Sequence, residues 1–275
     1  MPGSCYGSIS PLDDNEFSTD QWLHQFPLFT TRDMIRTYQP LKEYLGVQKI
    51  HIGIGGSMGG QQLLEWAIEE PSLFNYIVPV ATNAFHSPWA IAFNATQRHA
   101  IELDPTWVNA NAQAGMEGMK VAREIALLSY RHYETYGAGQ NEIQNDRTEN
   151  FRSESYQKYQ GEKLAKRFNA FSYYFLSKSM DSHNVGRSRG SVEKALAGIT
   201  AHTLVIGIGT DVLFPLSEQQ FLGNNIPGAV FKAIESPYGH DGFLLESDQI
   251  TTLVQEFIAG KSAREQVQPD TIHEI

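Results

Sequence analysis

Eight residues limit what this chain can become. Positions 53–60 read Gly53-Ile54-Gly55-Gly56-Ser57-Met58-Gly59-Gly60. The apolar run 47–54 reads as a buried strand, and residues 61–68 read as a helix stopped by Pro71. One serine among glycines at a strand-to-helix corner fits the G-x-S-x-G turn of a nucleophile elbow. Such a turn strains the serine backbone, and side chains two residues either side would collide with it or with the neighbouring strand. The helix N-terminus sets the Met58 N–H where an oxyanion would form. A structural glycine turn and a phosphate-binding turn are the alternatives. No Lys-Ser or Lys-Thr ends the stretch, which excludes a P-loop. The next strand, 75–81, runs out into Thr82-Asn83 without the acid a dinucleotide site needs.

Strand, helix and strand joined by short connections predict an α/β fold with a parallel sheet. Residues 1–27 read as loop. Thr30-Thr31-Arg32-Asp33 then reads as a helix start, with a cap and an early acid, for a helix whose apolar stripe is Met34, Ile35, Tyr38, Leu41 and Leu45, ending near Gly46. From about 87 to 188 the strand pattern lapses. Helical patterns cover 116–130 and 162–180, with a polar loop at 137–150. The sheet pattern resumes at 203–208, followed by a short helix from 216, a strand at 229–234 and a closing helix at 250–258. Residues 262–275 read as a frayed tail.

A chain of 275 residues can bury a large core, and its net charge of −10 includes no basic run able to follow a phosphate backbone. Nucleic acid is therefore not an expected partner. The single cysteine, Cys5, excludes an internal disulfide and fits a reducing compartment. No apolar stretch reaches membrane-span length, and the N-terminus lacks the pattern of a signal peptide. The expected location is the cytoplasm, with no membrane contact and no metal.

A nucleophilic serine needs a base, and the base an orienting carboxylate. In this fold the order is Ser, acid, His. The strand 203–208 leads into Gly209-Thr210-Asp211, and the strand 229–234 into Glu235-Ser236-Pro237-Tyr238-Gly239-His240-Asp241. Asp211 and His240 thus follow two late strands, at the sheet edge where α/β proteins place their sites. An isolated Asp after a strand is often a turn former or cap. Seven other histidines (24, 86, 99, 132, 183, 202 and 273) have no comparable setting, and His51 lies inside a predicted strand. The joint position of Ser57, Asp211 and His240 favours the catalytic reading.

Several stretches together resemble the homoserine O-acetyltransferase family, acyltransferases of the α/β-hydrolase fold that act in methionine biosynthesis. They are Gly3-Ser4-Cys5-Tyr6-Gly7, Phe26-Pro27-Leu28-Phe29-Thr30-Thr31-Arg32-Asp33-Met34, Gly55-Gly56-Ser57-Met58-Gly59-Gly60, Phe93-Asn94-Ala95-Thr96-Gln97-Arg98, residues 156–161, Asp211-Val212-Leu213-Phe214-Pro215, and Tyr238-Gly239-His240-Asp241-Gly242-Phe243-Leu244. The resemblance implies an α/β-hydrolase core in two parts, 1–86 and 191–261, with a helical lid at 87–190. It implies Ser57 as nucleophile, Asp211 as triad acid, His240 as base, and Met58 as an oxyanion donor. Asp241 is expected to contact the substrate's amino group, and Arg131 to face the substrate from the lid. A zwitterion such as homoserine calls for an anion and a cation held some distance apart. Acetyl-CoA would be the co-substrate, with no bound cofactor, and the lid would form a homodimer interface. A different acyl donor such as succinyl-CoA, or an esterase reaction, fits the same triad.

Family members carry a long segment before the position matching Gly3. By resemblance it holds the first strands of the sheet and a loop with the second oxyanion donor. The four strands found here would be the last four of the sheet, with the strand before Ser57 an exposed apolar edge. The expectation is an N-terminally truncated member, poorly active or inactive alone.

Overall fold

The computed structural model describes residues 1–4, 6–18, 20–143 and 146–267. Cys5, part of the predicted loop at 137–150 and the end of the predicted tail lie outside them. A 3-10 turn, Leu23–Gln25, interrupts the predicted opening loop, and the first α-helix opens at Thr30. Its side chain accepts from the Asp33 N–H while the Asp33 side chain accepts from the Thr30 N–H, a capping box for α1 (Thr31–Arg36). The single helix expected to reach Gly46 breaks at Thr37, and α2 (Tyr38–Tyr44) follows. Pro40 explains the break, because it has no N–H to offer the Arg36 carbonyl and its ring crowds that turn. Met34 and Ile35 are fully buried, whereas Leu41 and Leu45 are exposed. Of the predicted stripe in α2, only Tyr38 packs inward, its ring 5.5 Å from that of Trp66.

Strand β1 (Ile50–Gly56), helix α3 (Met58–Glu69) and strand β2 (Phe74–Val80) form the predicted strand–helix–strand unit. The chain then leaves the sheet for α4 (Pro88–Glu102), α5 (Met116–Tyr130), α6 (Tyr133–Gln140), α7 (Arg152–Ala165) and α8 (Ala170–Asp181). It returns through α9 (Val192–Leu196) to β3 (His202–Ile208), α10 (Leu216–Asn225), β4 (Val230–Ile234), α11 (Gly242–Leu245) and α12 (Ser247–Val267).

The four strands are parallel in the order β1-β2-β3-β4. Alternation along them divides the core. Ile77 and Val205 pack with Leu63, Leu64, Leu196 and Leu222 on the α3, α9 and α10 face. Val78, Leu204 and Ile206 pack with Ile250 on the α12 face. Among the described residues β1 has a strand neighbour on one side only, and its Ile54 is 59% exposed.

Helices α4, α5, α7 and α8 have a core of their own, built from Ile101, Trp107, Met119, Leu164 and Phe171. Leu23 joins it, so part of the opening loop packs on the helical layer and not on the sheet. Three predicted boundaries move. The helix expected at 162–180 is two helices, because Asn169 accepts from the Ser172 N–H and starts α8 anew. The predicted loop at 137–150 begins inside α6. The tail is helical as far as Val267, in a run of good helix formers (Lys261, Ala263, Arg264, Glu265, Gln266).

Candidate active site

Ser57 has φ +53° and ψ −125°, a region other than glycine rarely visits. Neighbouring bonds hold it there. Its N–H donates to the Val80 carbonyl at 3.0 Å, and its carbonyl accepts from Thr82 Oγ1 at 2.8 Å and from the Gly60 and Gln61 N–H groups. A Cβ on Gly55 would stand 2.4 Å from the Gly59 carbonyl oxygen, so the two arms of the turn need glycine at that position. The expected crowding at Gly59 is absent, since a Cβ there meets nothing within 4 Å. The Met58 N–H, at the first position of α3, has no acceptor among the described residues.

Two loops beyond the strand ends meet Ser57. His240 Nε2 lies 2.9 Å from Ser57 Oγ, and His240 Nδ1 lies 2.7 Å from Asp211 Oδ2. The other Asp211 oxygen accepts from the Leu213 and Phe214 N–H groups at 2.8 and 2.9 Å. These three contacts fix the plane of the carboxylate. Thr210 ties the two loops together, donating to the Ser236 carbonyl and accepting from the Gly239 N–H. The His240 ring stacks on Phe214 at 5.1 Å and meets Phe243 edge-on at 5.2 Å. Asp211 and His240 are both buried. With Nδ1–H donated to Asp211, Nε2 is free to accept the Ser57 proton.

Ser57 opens into a cavity of about 300 Å³ lined by Met58, Arg123, Tyr130, His240 and Asp241 among others. Asp241 sits in that wall. Arg131 does not line it. As the residue after α5, with an extended backbone (φ −100°, ψ 151°), it leaves the helix face that looks into the cavity. Its Nη1 pairs with Asp241 Oδ2 at 2.8 Å, and its Nη2 donates to Tyr156 OH at 3.4 Å. The expected cation and anion therefore neutralise each other across the cavity wall.

The cation in the cavity is Arg123, which sequence reasoning passed over. It lies seven residues, two helical turns, before Tyr130 and on the same face of α5. Its guanidinium stands 5.6 Å from the Tyr130 ring centroid, and it has no carboxylate partner among the described residues. Burial pushes the Tyr130 phenol above its ordinary pKa, so it stays neutral beside the arginine. An arginine flanked by the buried Ala122 and Ala126 was the available signal. Among the described residues no three His, Cys, Asp or Glu side chains are placed to hold a metal ion, and no helix is long and apolar enough to cross a membrane.

The chain matches the α/β-hydrolase fold family over residues 1–247. It is 45% identical over 255 residues to the homoserine O-acetyltransferase of Cyclobacterium marinum, covering 93% of this chain and 72% of that one. The chain belongs to the homoserine O-acetyltransferase family. A crystal structure of homoserine O-acetyltransferase from Bacillus anthracis superposes with a TM-score of 0.85 at 22% identity, over 91% of this chain and 70% of that one. Esterase E22 superposes at 0.83 and 21%, over 91% and 72%. At such identities the likeness is one of fold, which homoserine O-acetyltransferases share with an esterase. Family membership thus rests on the sequence match, and the chemistry on the side chains around Ser57.

Proposed function

We propose that this chain is a homoserine O-acetyltransferase that works through an acetyl-serine on Ser57. The observation that carries the reading is the hydrogen-bonded chain Ser57–His240–Asp211, at 2.9 and 2.7 Å, in a member of that family. His240 Nε2 takes the Ser57 proton as Oγ attacks the thioester carbonyl of acetyl-CoA. The oxyanion accepts from the Met58 N–H. Its collapse breaks the C–S bond, and the thiolate leaves as CoA after receiving the proton from His240. The hydroxyl of L-homoserine then gives its proton to His240 and attacks the acetyl carbonyl. Collapse returns the proton to Ser57 Oγ and releases O-acetyl-L-homoserine.

Arg123 and Asp241 supply the two poles for the zwitterion. Arg123 takes the homoserine carboxylate and Asp241 its ammonium, while Arg131 holds Asp241 from behind. The assignment of the cation thereby moves from Arg131 to Arg123. The acetyl donor follows the names of the relatives, as does a place in methionine biosynthesis. The reading also carries a homodimer joined through the helical layer and a cytoplasmic location, testable by sedimentation and fractionation.

The experiment is CoA release from acetyl-CoA with and without L-homoserine. Release that requires homoserine is the expected result. Release that ignores homoserine would replace the transferase with a thioesterase, in which water takes the acetyl group. Succinyl-CoA run in parallel separates the donors.

A further inference from the structure

Helix α4 buries one stripe, Ala90, Asn94, Gln97 and Ile101. Two of the four carry amides, and a buried amide needs partners for both its oxygen and its nitrogen. Asn94 is satisfied at its nitrogen. Its Nδ2 donates to Asp181 Oδ1 at 2.8 Å and lies 3.2 Å from His86 Nε2. Arg98 Nη2 pairs with the other oxygen of that carboxylate at 2.6 Å. These contacts occupy both Asn94 amide hydrogens and fix which way the group points.

Gln97, one turn further, is satisfied at the opposite end. Its Oε1 accepts from Tyr173 OH of α8 at 2.6 Å. The alternative acceptor for that phenol, the Ala122 carbonyl, is 3.5 Å away, so the shorter contact sets the amide with its oxygen toward Tyr173. Burial holds the Tyr173 phenol well above its ordinary pKa, and it remains a donor. Gln97 Nε2 has no acceptor among the described residues. Nor is it sealed in by protein, as the unpartnered Oε1 atoms of Gln61, Gln157 and Gln219 are. Gln97 is 3% exposed and lines the catalytic cavity, so its free NH₂ group faces that space. The cavity's cation is close by. Arg123 lines the same cavity and follows Ala122, whose carbonyl Tyr173 approaches. A carboxylate has about four lone-pair sites and can accept from a guanidinium and an amide together.

We propose that Gln97 determines acceptor specificity, its Nε2 donating to the carboxylate of the amino-acid substrate beside the Arg123 guanidinium. The assignment rests on the transferase reading, and the test separates the two. The probes are L-homoserine and 3-amino-1-propanol, the same amino alcohol without its carboxylate. Gln97→Met keeps the volume and removes the donor. It should lower kcat/KM for homoserine about 30-fold, the size of a lost hydrogen bond to a charged group, and that for 3-amino-1-propanol less than about three-fold. Gln97→Glu should cost homoserine about ten-fold more again, because it sets like charges together, and should not weaken the cationic amino alcohol further. Tyr173→Phe frees the amide to turn and should cost homoserine about five-fold. Tyr174→Phe, whose phenol donates to Glu102 Oε1 instead, should behave as the parent does. Circular dichroism checks that each variant is folded. Calorimetric titration of homoserine into the parent and Gln97→Met reads the same contact without turnover. Equal homoserine affinity in the folded Gln97→Met variant, or an equal loss with 3-amino-1-propanol, overturns the contact. Homoserine binding that the variant weakens, without homoserine-dependent CoA release, overturns the transferase reading and leaves the contact standing. No homoserine binding to the parent overturns both.

Discussion

The C-terminal edge of the sheet and the helical layer above it hold their functional groups in different ways. At the sheet edge the backbone does the holding. Ser57 is fixed at positive φ by four hydrogen bonds, and Asp211 by two N–H groups of its own loop. In the helical layer side chains reach across space. Arg123 rests on a ring, and Arg131 is half-exposed and held by one carboxylate and one phenol. Atoms that make and break bonds need placement to a fraction of an ångström, and buried backbone supplies it. Charges that recognise a flexible substrate can adjust, and long side chains allow that. The contrast predicts that changes at the edge abolish chemistry, whereas changes in the layer alter recognition.

The largest expected effect is at Ser57. Ser57→Ala should reduce homoserine-dependent CoA release by about 10⁴-fold or more, as loss of a nucleophile does in serine hydrolases. Acetyl-CoA and homoserine should still bind. A residual rate within ten-fold of the parent would remove Ser57 from the chemistry and end the contrast.

Next is the turn itself. Gly55→Ala places a Cβ 2.4 Å from the Gly59 carbonyl oxygen, backbone against backbone, with no side chain able to yield. It should cost about 3 kcal/mol or more in stability and most of the activity, in line with overpacking at a strained site. Gly59→Ala, with open space around its Cβ, should change stability by less than about 1 kcal/mol. Urea unfolding of the two variants separates them, and equal losses would mean that the turn is not held by this contact.

The helical layer should answer differently. Arg123→Met should raise KM for homoserine about 100-fold with a smaller change in kcat, the size of effect seen when a charge pair loses one partner. Arg131→Met should raise it about ten-fold or less, through a less constrained Asp241. The reverse ranking would return the recognition role to Arg131.

The same contrast decides what the sequence makes legible. Ser57, Asp211 and His240 are readable because each follows an apolar run, and strand ends in a parallel sheet converge on one edge by topology alone. The α-helical layer offers no such rule. Arg123 and Arg131 belong to one segment, and which of them enters the cavity depends on two helical turns of phase and on α5 ending at Tyr130. The helix breaks follow a similar division. Pro40 splits α1 from α2 through covalent geometry that the sequence states openly. Asn169 starts α8 through a cap competing with helix propensity, a balance settled by packing around Phe171. The role of Gly59 was misjudged because its open space depends on how the turn sits against its neighbours.

The smallest effect tests the joint between the two regions. His183 binds Thr31 Oγ1 at the start of α1 and the Asn83 carbonyl beyond β2. His86 stands between Gln61 of α3 and Asn94 of α4, 3.9 Å from Asp181 and near Arg98. Burial lowers the His183 pKa to about 3; burial and then the Arg98 charge lower that of His86 to about 4. Both rings are therefore neutral in the folded protein at pH 5, while the unfolded chain, near 6.5, binds protons. The unfolded state holds more protons throughout that window, so stability is highest above about pH 6.5 and falls with pH below it. At pH 5 the loss should be about 2 kcal/mol for each histidine. Burial raises the pKa of Asp181 and Glu218, which titrate with the opposite sign, so their offset grows in more acid solution. Urea midpoints of the parent and of His183→Asn at pH 7 and pH 5 measure the difference. The parent should lose more stability than the variant between the two pH values, because the variant has one fewer ring to protonate on unfolding. Identical pH slopes would show that His183 titrates alike in both states, and that the joint between sheet and helices is open to water.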